Sequence, residues 1–197
     1  MNQQDLKKQI DFIVEIDQLK QVFRQTILPA DKRRENDAEH SWHLSIMALL
    51  LVQHAADPDL DLLRVIKMLL IHDIVEIDAG DTFAYDEAVH ADKEEREQAA
   101  ADRLFGLLPP EQATELRTLW DEFEDRQSPE AKYAAALDRL QPLLLNFQSG
   151  GQTWLSHGVK YDQVIARNCH IEEGAPALWE YARAMIDEAV ELGRLEK

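Results

Sequence analysis

The stretch Leu69-Leu70-Ile71-His72-Asp73-Ile74-Val75-Glu76-Ile77-Asp78-Ala79-Gly80-Asp81 constrains everything around it. Ahead of it, Leu62, Val65, Ile66 and Leu69 recur at helical spacing, which predicts a buried helix. His72 and Glu76, one turn apart, then stand above one another on one face, and Asp73 lies about 100° round the axis. Three ionisable side chains thus close an otherwise apolar helix, and burying each is costly unless a metal or a partner satisfies it. The helix is expected to stop at Gly80, with Asp81 in the turn immediately after. Any fold built on this helix must bring partners to its charged end.

Residues 5–27 carry Ile10, Phe12, Ile13, Ile16, Leu19, Val22 and Phe23 close to a helical stripe. A helix is expected there, ended by Pro29, with Arg24 near its close and pointing inward beside the apolar face. Asp31-Lys32-Arg33-Arg34 reads as a solvated, charged loop. Asn36 or Asp37 caps the next helix, on which His40, His43, Leu44, Met47, Leu50, Leu51 and His54 share one face. Histidines on such a stripe usually pack, and His43 and His54 are assigned to packing or to the periphery. His40 differs because the helix ending in His72-Asp73 comes so soon after it. The Asp57-Pro58 break leaves only a short connection, so the helices carrying His40 and His72 form an antiparallel hairpin. The start of one then meets the end of the other.

Thr82–Asp92 has no period and reads as a loop near the site. Lys93–Leu108 resumes a helix, with Ala99, Ala100, Leu104 and Leu107 apolar and Lys93/Glu97 spaced as a pair. Glu94-Glu95-Arg96-Glu97 is expected to be a solvated face. Pro109-Pro110 interrupts, and Glu111–Glu124 forms a helix through Leu116, Leu119, Trp120 and Phe123. After Gln127-Ser128-Pro129, the helix Glu130–Phe147 sets Ala131, Ala134, Ala135, Asp138 and Leu145 on one side. Those alanines permit close approach by a neighbour. Asp138, among Leu137, Leu140 and Leu143–Leu145, requires a counter-charge. Pro142 is expected to kink this helix. Beyond the Gly150-Gly151 turn, Trp154–Cys169 holds one or two short helices and Glu173–Leu195 an amphipathic one. With no strand pattern, repeat or linker, the expected fold is all-α: a single-domain helical bundle over residues 1–197, its metal-site core at about 24–147 and C-terminal helices 154–195 packed on it.

Charge bounds the partners. Asp and Glu total 38 against 21 Lys and Arg, a formal net charge of −17. Such a surface repels nucleic-acid polymers and anionic membranes, and neither is expected as a partner. A small phosphorylated substrate is compatible, because a bound cation reverses the field inside one pocket. Cys169 is the only cysteine, so no intrachain disulfide forms. The polar start Met1–Lys8 and the short apolar run Ile46–Val52 predict neither a signal sequence nor a membrane span, and a cytoplasmic protein is expected.

His40, His72, Asp73 and Asp138 make a two-nitrogen, two-oxygen ligand set on three packed helices. Mixed imidazole and carboxylate ligands suit one divalent transition metal ion (Mn, Co, Fe, Ni or Zn) better than Mg or Ca. Six-coordination would leave positions for water and a substrate oxygen, activating the one and polarising the other. Glu76 is placed to take a proton from the water, and Asp81 to protonate the leaving oxygen. Arg24 is placed to hold a phosphate oxygen.

The order Glu39-His40, His72-Asp73-x-x-Glu76, Gly80-Asp81 and Asp138 resembles the HD-domain phosphohydrolases. Within them it is similar to the branch of 5′-deoxynucleotidases and related small hydrolases, from about Arg24 to about Leu145. The resemblance implies a mononuclear site at His40, His72, Asp73 and Asp138, with Mn or Co as the usual activating ion. It also implies hydrolysis of nucleoside 5′-monophosphates, catalytic roles for Glu76 and Asp81, phosphate contact by Arg24, and a homodimer. Gln25 stands where the deoxynucleotidases typically carry a tryptophan close to the sugar, so ribonucleotides are expected to be rejected less sharply. A dinuclear centre needs further histidines between Asp73 and Asp138, and only His90 lies there. Two other functions fit parts of the pattern. One is a phosphodiesterase or pyrophosphohydrolase of the same superfamily, acting for example on guanosine tetraphosphate. The other is a non-catalytic, metal-binding helical interaction protein.

Overall fold

A computed structural model describes residues 3–81 and 93–197; the expected loop Thr82–Asp92 lies outside the described residues. Among the described residues the regular structure is helical, apart from one small hairpin. Helix α1 (Gln3–Glu15) passes into a 3-10 turn, Ile16–Gln21. Next come strands β1 (Phe23–Ile27) and β2 (Arg34–Asn36), which pair antiparallel with Phe23 opposite Asn36 and Ile27 opposite Arg34.

This hairpin corrects two expectations: the helix does not run on to residue 27, and a strand pair exists. The residues explain why. Leu28 precedes Pro29 and is held out of the helical region by the ring, while Thr26 and Ile27 are β-branched and favour extended backbone. The charged segment 31–34 becomes the turn, with the Leu28 amide donating to the Arg33 carbonyl at 2.9 Å and Lys32 taking a left-handed φ of 62°. Arg24 therefore sits on a strand instead of a helix end, and the Arg34 guanidinium clasps the carbonyls of Phe23 and Arg24.

Helix α2 (Asp37–Leu51) starts at a reciprocal cap in which the Glu39 amide donates to Asn36 and the Asn36 amide donates to Glu39. With Asn36 as the cap, Asp37 becomes the first helical residue and is wholly buried. Helix α3 (Leu62–Ile71) runs back against α2, capped by Asp61 and buried through Val65, Met68 and Leu69. The expected continuous helix breaks here. Residues His72–Val75 tighten into a 3-10 turn before α4 (Glu76–Ala79), which ends at Gly80 with φ 76°.

Helices α5 (Lys93–Phe105) and α6 (Pro110–Asp125) cover one side of that turn. Helix α7 (Pro129–Gln148) is the central element, packed by α3, α2, α6 and β1 and by the later helices. It remains one α-helix across Pro142. Helices α8 (Gln152–His157), α9 (Tyr161–Asn168), α10 (Ile171–Gly174) and α11 (Pro176–Glu191) close the chain around it. At Gly174 a Cβ would stand 2.2 Å from the Lys132 carbonyl oxygen, so only glycine lets α10 press against α7 backbone to backbone.

Candidate metal centre and active site

The hairpin of α2 and α3 brings His40 and His72 together, with ring centroids 5.7 Å apart. Asp138 arrives from α7 and presents Oδ1 at 3.0 Å from His40 Nε2 and 3.7 Å from His72 Nε2. Asp73 Oδ1 is 3.2 Å from His72 Nε2, and its Oδ2 is 4.0 Å from His40 Nε2. Two donor atoms at right angles around an ion, each about 2.1 Å away, stand about 3 Å from one another. The four residues converge at that scale.

Both imidazoles are held with Nε2 facing the cluster. His72 Nδ1 donates to the Leu69 carbonyl at 3.0 Å, and His40 Nδ1 meets Gln141 Oε1 at 3.2 Å. Gln141 is oriented in turn, its Nε2 donating to Glu35 Oε1 at 2.6 Å. An oxygen accepting from Nδ1 selects the tautomer whose Nε2 lone pair is free to ligate. His72 Nε2 is buried and has no hydrogen-bond partner among the described residues. Its 3-10 backbone is held separately, by Trp120 Nε1 donating to the His72 carbonyl at 3.2 Å. An orphaned imidazole nitrogen and two convergent carboxylates fit a divalent cation.

Electrostatics give the same answer. Asp37, Asp73 and Glu76 bring carboxylate oxygens within 4.8 Å of one another. The nearest cation is Arg24, whose Nη1 lies 2.7 Å from Asp73 and 3.3 Å from Asp37, with Nη2 3.9 Å from Asp138. One guanidinium does not balance this crowd. Burial, with help from the Asp73 and Asp37 charges, holds the Glu76 carboxyl well above the usual range. Burial and the Asp73 charge push Asp37 up to about 7, and burial raises Asp81 against the pull of Arg24. Burial and Arg24 oppose a charge on His40, but Asp138 and Glu35 outweigh them and push it up to about 9. Burial opposes the Asp138 charge too, yet the bond to His40 and the nearby His72 imidazole hold that carboxyl well below the ordinary value.

A cleft of about 310 Å³ opens beside this cluster, within the size range of small-molecule sites. Arg24, Gln25, His72, Asp73, Glu76 and Asp81 all border it, as does Asp138, whereas His40 lies fully buried behind them. Each residue singled out from the sequence is therefore at or against one cleft. Glu97, expected on a solvated face, is instead buried against the cleft, with Lys93 Nζ at 3.1 Å. His43 is peripheral, touching Gln141 Nε2 at 3.2 Å.

Sequence reasoning passed over Asp37, Gln141 and Glu35 as site residues. Asn36-x-x-Glu39 already assigns the cap to Asn36 and so turns Asp37 inward. Gln141, between Leu140 and Pro142 in an apolar run, is a buried polar group needing partners, as Asp138 is. Nothing local marks Glu35.

Together, fold and site define a helical protein that gathers two histidines and two aspartates at the floor of an acidic cleft. The chain belongs to the HD-domain family, whose model matches residues 16–179. It is 31% identical over 139 residues to a protein of Xenopus laevis named 5'-deoxynucleotidase HDDC2, covering 70% of this chain and 67% of that one. The Homo sapiens protein of the same name is 29% identical over 136 residues, covering 68% and 65%. The chain thus spans about two thirds of the length of these relatives. A crystal structure of a predicted metal-dependent phosphohydrolase from Magnetospirillum magnetotacticum MS-1 is 56% identical and superposes with a TM-score of 0.94, covering 98% of this chain and 96% of that one. An HD-domain phosphohydrolase implies a divalent metal, and the His/Asp cluster is a candidate site for it.

Proposed function

We propose that this protein is a metal-dependent phosphohydrolase that releases phosphate from nucleoside 5′-monophosphates, using one divalent transition metal ion held by His40, His72, Asp73 and Asp138. The observation that carries it is the pair of imidazoles with satisfied Nδ1 atoms, converging through Nε2 on Asp73 and Asp138 beside the cleft. The names of the curated relatives supply the substrate class.

When bound there, the ion supplies Lewis-acid polarisation of the phosphoryl group and acidification of water. The chain supplies the rest. Arg24 is anchored by Asp73 and Asp37 but keeps a buried Nε–H, without a partner among the described residues, to meet a phosphate oxygen. Glu76, whose carboxyl is raised by burial and by the Asp73 and Asp37 charges, takes a proton from the attacking water once a bound cation offsets those charges. Asp81, whose carboxyl burial shifts toward the protonated form, borders the cleft as the donor to the departing 5′ oxygen. Gln25 borders the cleft one residue from Arg24 and so lies close to the sugar.

The acidic surface argues for a small nucleotide over any nucleic-acid polymer, and no described helix is long and apolar enough to cross a membrane. A cytoplasmic location is supported by cysteine usage, Cys169 being single and free. A homodimer is supported by exposed apolar side chains on adjoining helices, Trp42, Leu49 and Leu50 of α2 and Leu63 and Leu70 of α3.

The test is metal analysis of the purified protein followed by phosphate release from deoxyribo- and ribonucleoside 5′-monophosphates, guanosine tetraphosphate and a cyclic nucleotide. Release from the monophosphates with Mn or Co is expected. Turnover confined to the tetraphosphate or the diester, or tight metal binding with no turnover at all, would overturn the proposal.

A further inference from the structure

The segment after Gly150 has no part in the metal cluster, yet it walls the same cleft. Thr153 and Trp154 of α8 and Asn168 of α9 border it together with Gln25 of β1 and Leu143 and Asn146 of α7. A tight turn creates this arrangement. Gly151, with φ 75°, donates its amide to the Asn146 carbonyl at 2.8 Å, and a Cβ there would meet the Arg194 carbonyl oxygen at 1.9 Å. The turn folds α8 back beside the end of α7, and Thr153 Oγ1 fastens it to the Gln25 carbonyl at 3.2 Å.

Asn146 is the outlier in this wall. It is 7% exposed, and its side-chain oxygen is buried with no hydrogen-bond partner among the described residues. A buried amide oxygen left unmatched is costly, and a donor on a ligand in the cleft would relieve that cost. Its position along α7 says which part of a ligand it meets. Asp138, Pro142 and Asn146 succeed one another at four-residue steps and all border the cleft. Eight residues of α-helix rise about 12 Å. With a phosphate at the Asp138 end, the sugar of a nucleotide falls near Gln25 and Pro142 and its base near Asn146. The local chemistry suits a base: Trp154, 1% exposed, and Leu143 offer apolar walls, and a carboxamide pairs with neighbouring donor and acceptor atoms on a base edge.

We propose that Asn146 is a specificity-determining residue that hydrogen-bonds the edge of the nucleobase, in a base subsite walled by Trp154 and Leu143; this rests on the nucleotide function proposed above. The region beyond Gly150 then has a task, the recognition of the nucleoside. The test compares kcat/KM for dAMP with that for 2-deoxyribose 5-phosphate, which has the phosphate and sugar but no base. Because both substrates are measured on one preparation, their ratio is independent of the fraction of protein folded. In Asn146→Ala and in the similarly sized Asn146→Leu, the ratio should fall about ten- to a hundredfold, as expected when a polar edge loses its partner. An unchanged ratio in both variants overturns the assignment, whether the two activities hold or fall together. A wild-type ratio near one also overturns it, while leaving the phosphohydrolase standing. Failure of the metal-loaded wild type to cleave any nucleoside monophosphate sinks the nucleotide function itself.

Discussion

Replacing Asp37 by asparagine should stabilise the metal-free protein increasingly as pH rises. Asp37 is fully buried, its Oδ1 lies 3.3 Å from Arg24, and its Oδ2 has no partner among the described residues. Burial and the Asp73 charge raise its carboxyl from 3.8 to about 7. Between those two values the folded state keeps a proton that the unfolded chain has released. Stability from this group is therefore full below the lower value and lost as pH climbs through the upper one. Each pH unit of such a one-proton difference is worth about 1.4 kcal/mol. From pH 5 to about 7 the loss is about 3 kcal/mol, and sharing of charge with Glu76 trims it to about 2 kcal/mol. Asparagine keeps an oxygen for Arg24 and cannot ionise, so the variant escapes that loss. The stability gap between variant and wild type should widen by about 2 kcal/mol from pH 5 to pH 8, or roughly 4–8 °C in Tm for a chain of this size. Calorimetry after chelation, at both pH values, measures it. Adding Mn should shrink the widening, because a cation beside Asp73 relieves the same repulsion. A gap that is constant with pH, or one that closes toward pH 8, refutes this account of the acidic cluster.

Asp138→Ala removes one of four ligands and should abolish both metal occupancy and hydrolysis; full metal content in the folded variant would contradict the site. Glu76→Gln and Asp81→Asn leave the ligands in place, so metal should stay while kcat falls by about two to four orders of magnitude. Wild-type turnover in both would mean that neither carboxyl moves a proton in the rate-limiting step. Gln25→Trp should sharpen preference for dAMP over AMP and for dGMP over GMP, since an indole leaves a 2′-hydroxyl without a partner at a cost of about 1–3 kcal/mol. Matched kcat/KM values decide it, and strong deoxy preference already present in the wild type would count against a role for Gln25. For assembly, sedimentation should find a dimer that Trp42→Glu with Leu50→Glu dissociates; a monomeric wild type excludes it.

Much of the architecture is written in local pattern. The stripe Leu62, Val65 and Leu69 and the Asp57-Pro58 break suffice to bring His72 back toward His40, because helical periodicity and a short connection leave one antiparallel solution. Asp138 in a run of leucines and alanines announced that a charge had to meet it, and His40 and Arg24 do. Local pattern failed where two solutions have similar local cost. The helical stripe expected over residues 5–27 buries Phe12 and Leu19, but Ile10 and Ile13 stay about half exposed and Phe23 at its end is exposed too, so the last residues gained little by staying helical. Pairing with β2 satisfied the backbone instead and turned Arg24 into the cleft. The 3-10 turn at His72–Val75 likewise depends on a distant group, Trp120, taking the His72 carbonyl. Asp37, Glu35 and Gln141 became parts of the site only when α2, β2 and α7 met. So did the wall beyond Gly150, where Asn146 is ordinary in sequence and unmatched only in space. Periodicity reports which face of an element is buried; which polar groups share that burial, and which are left waiting for a ligand, is settled by contacts between residues a hundred positions apart.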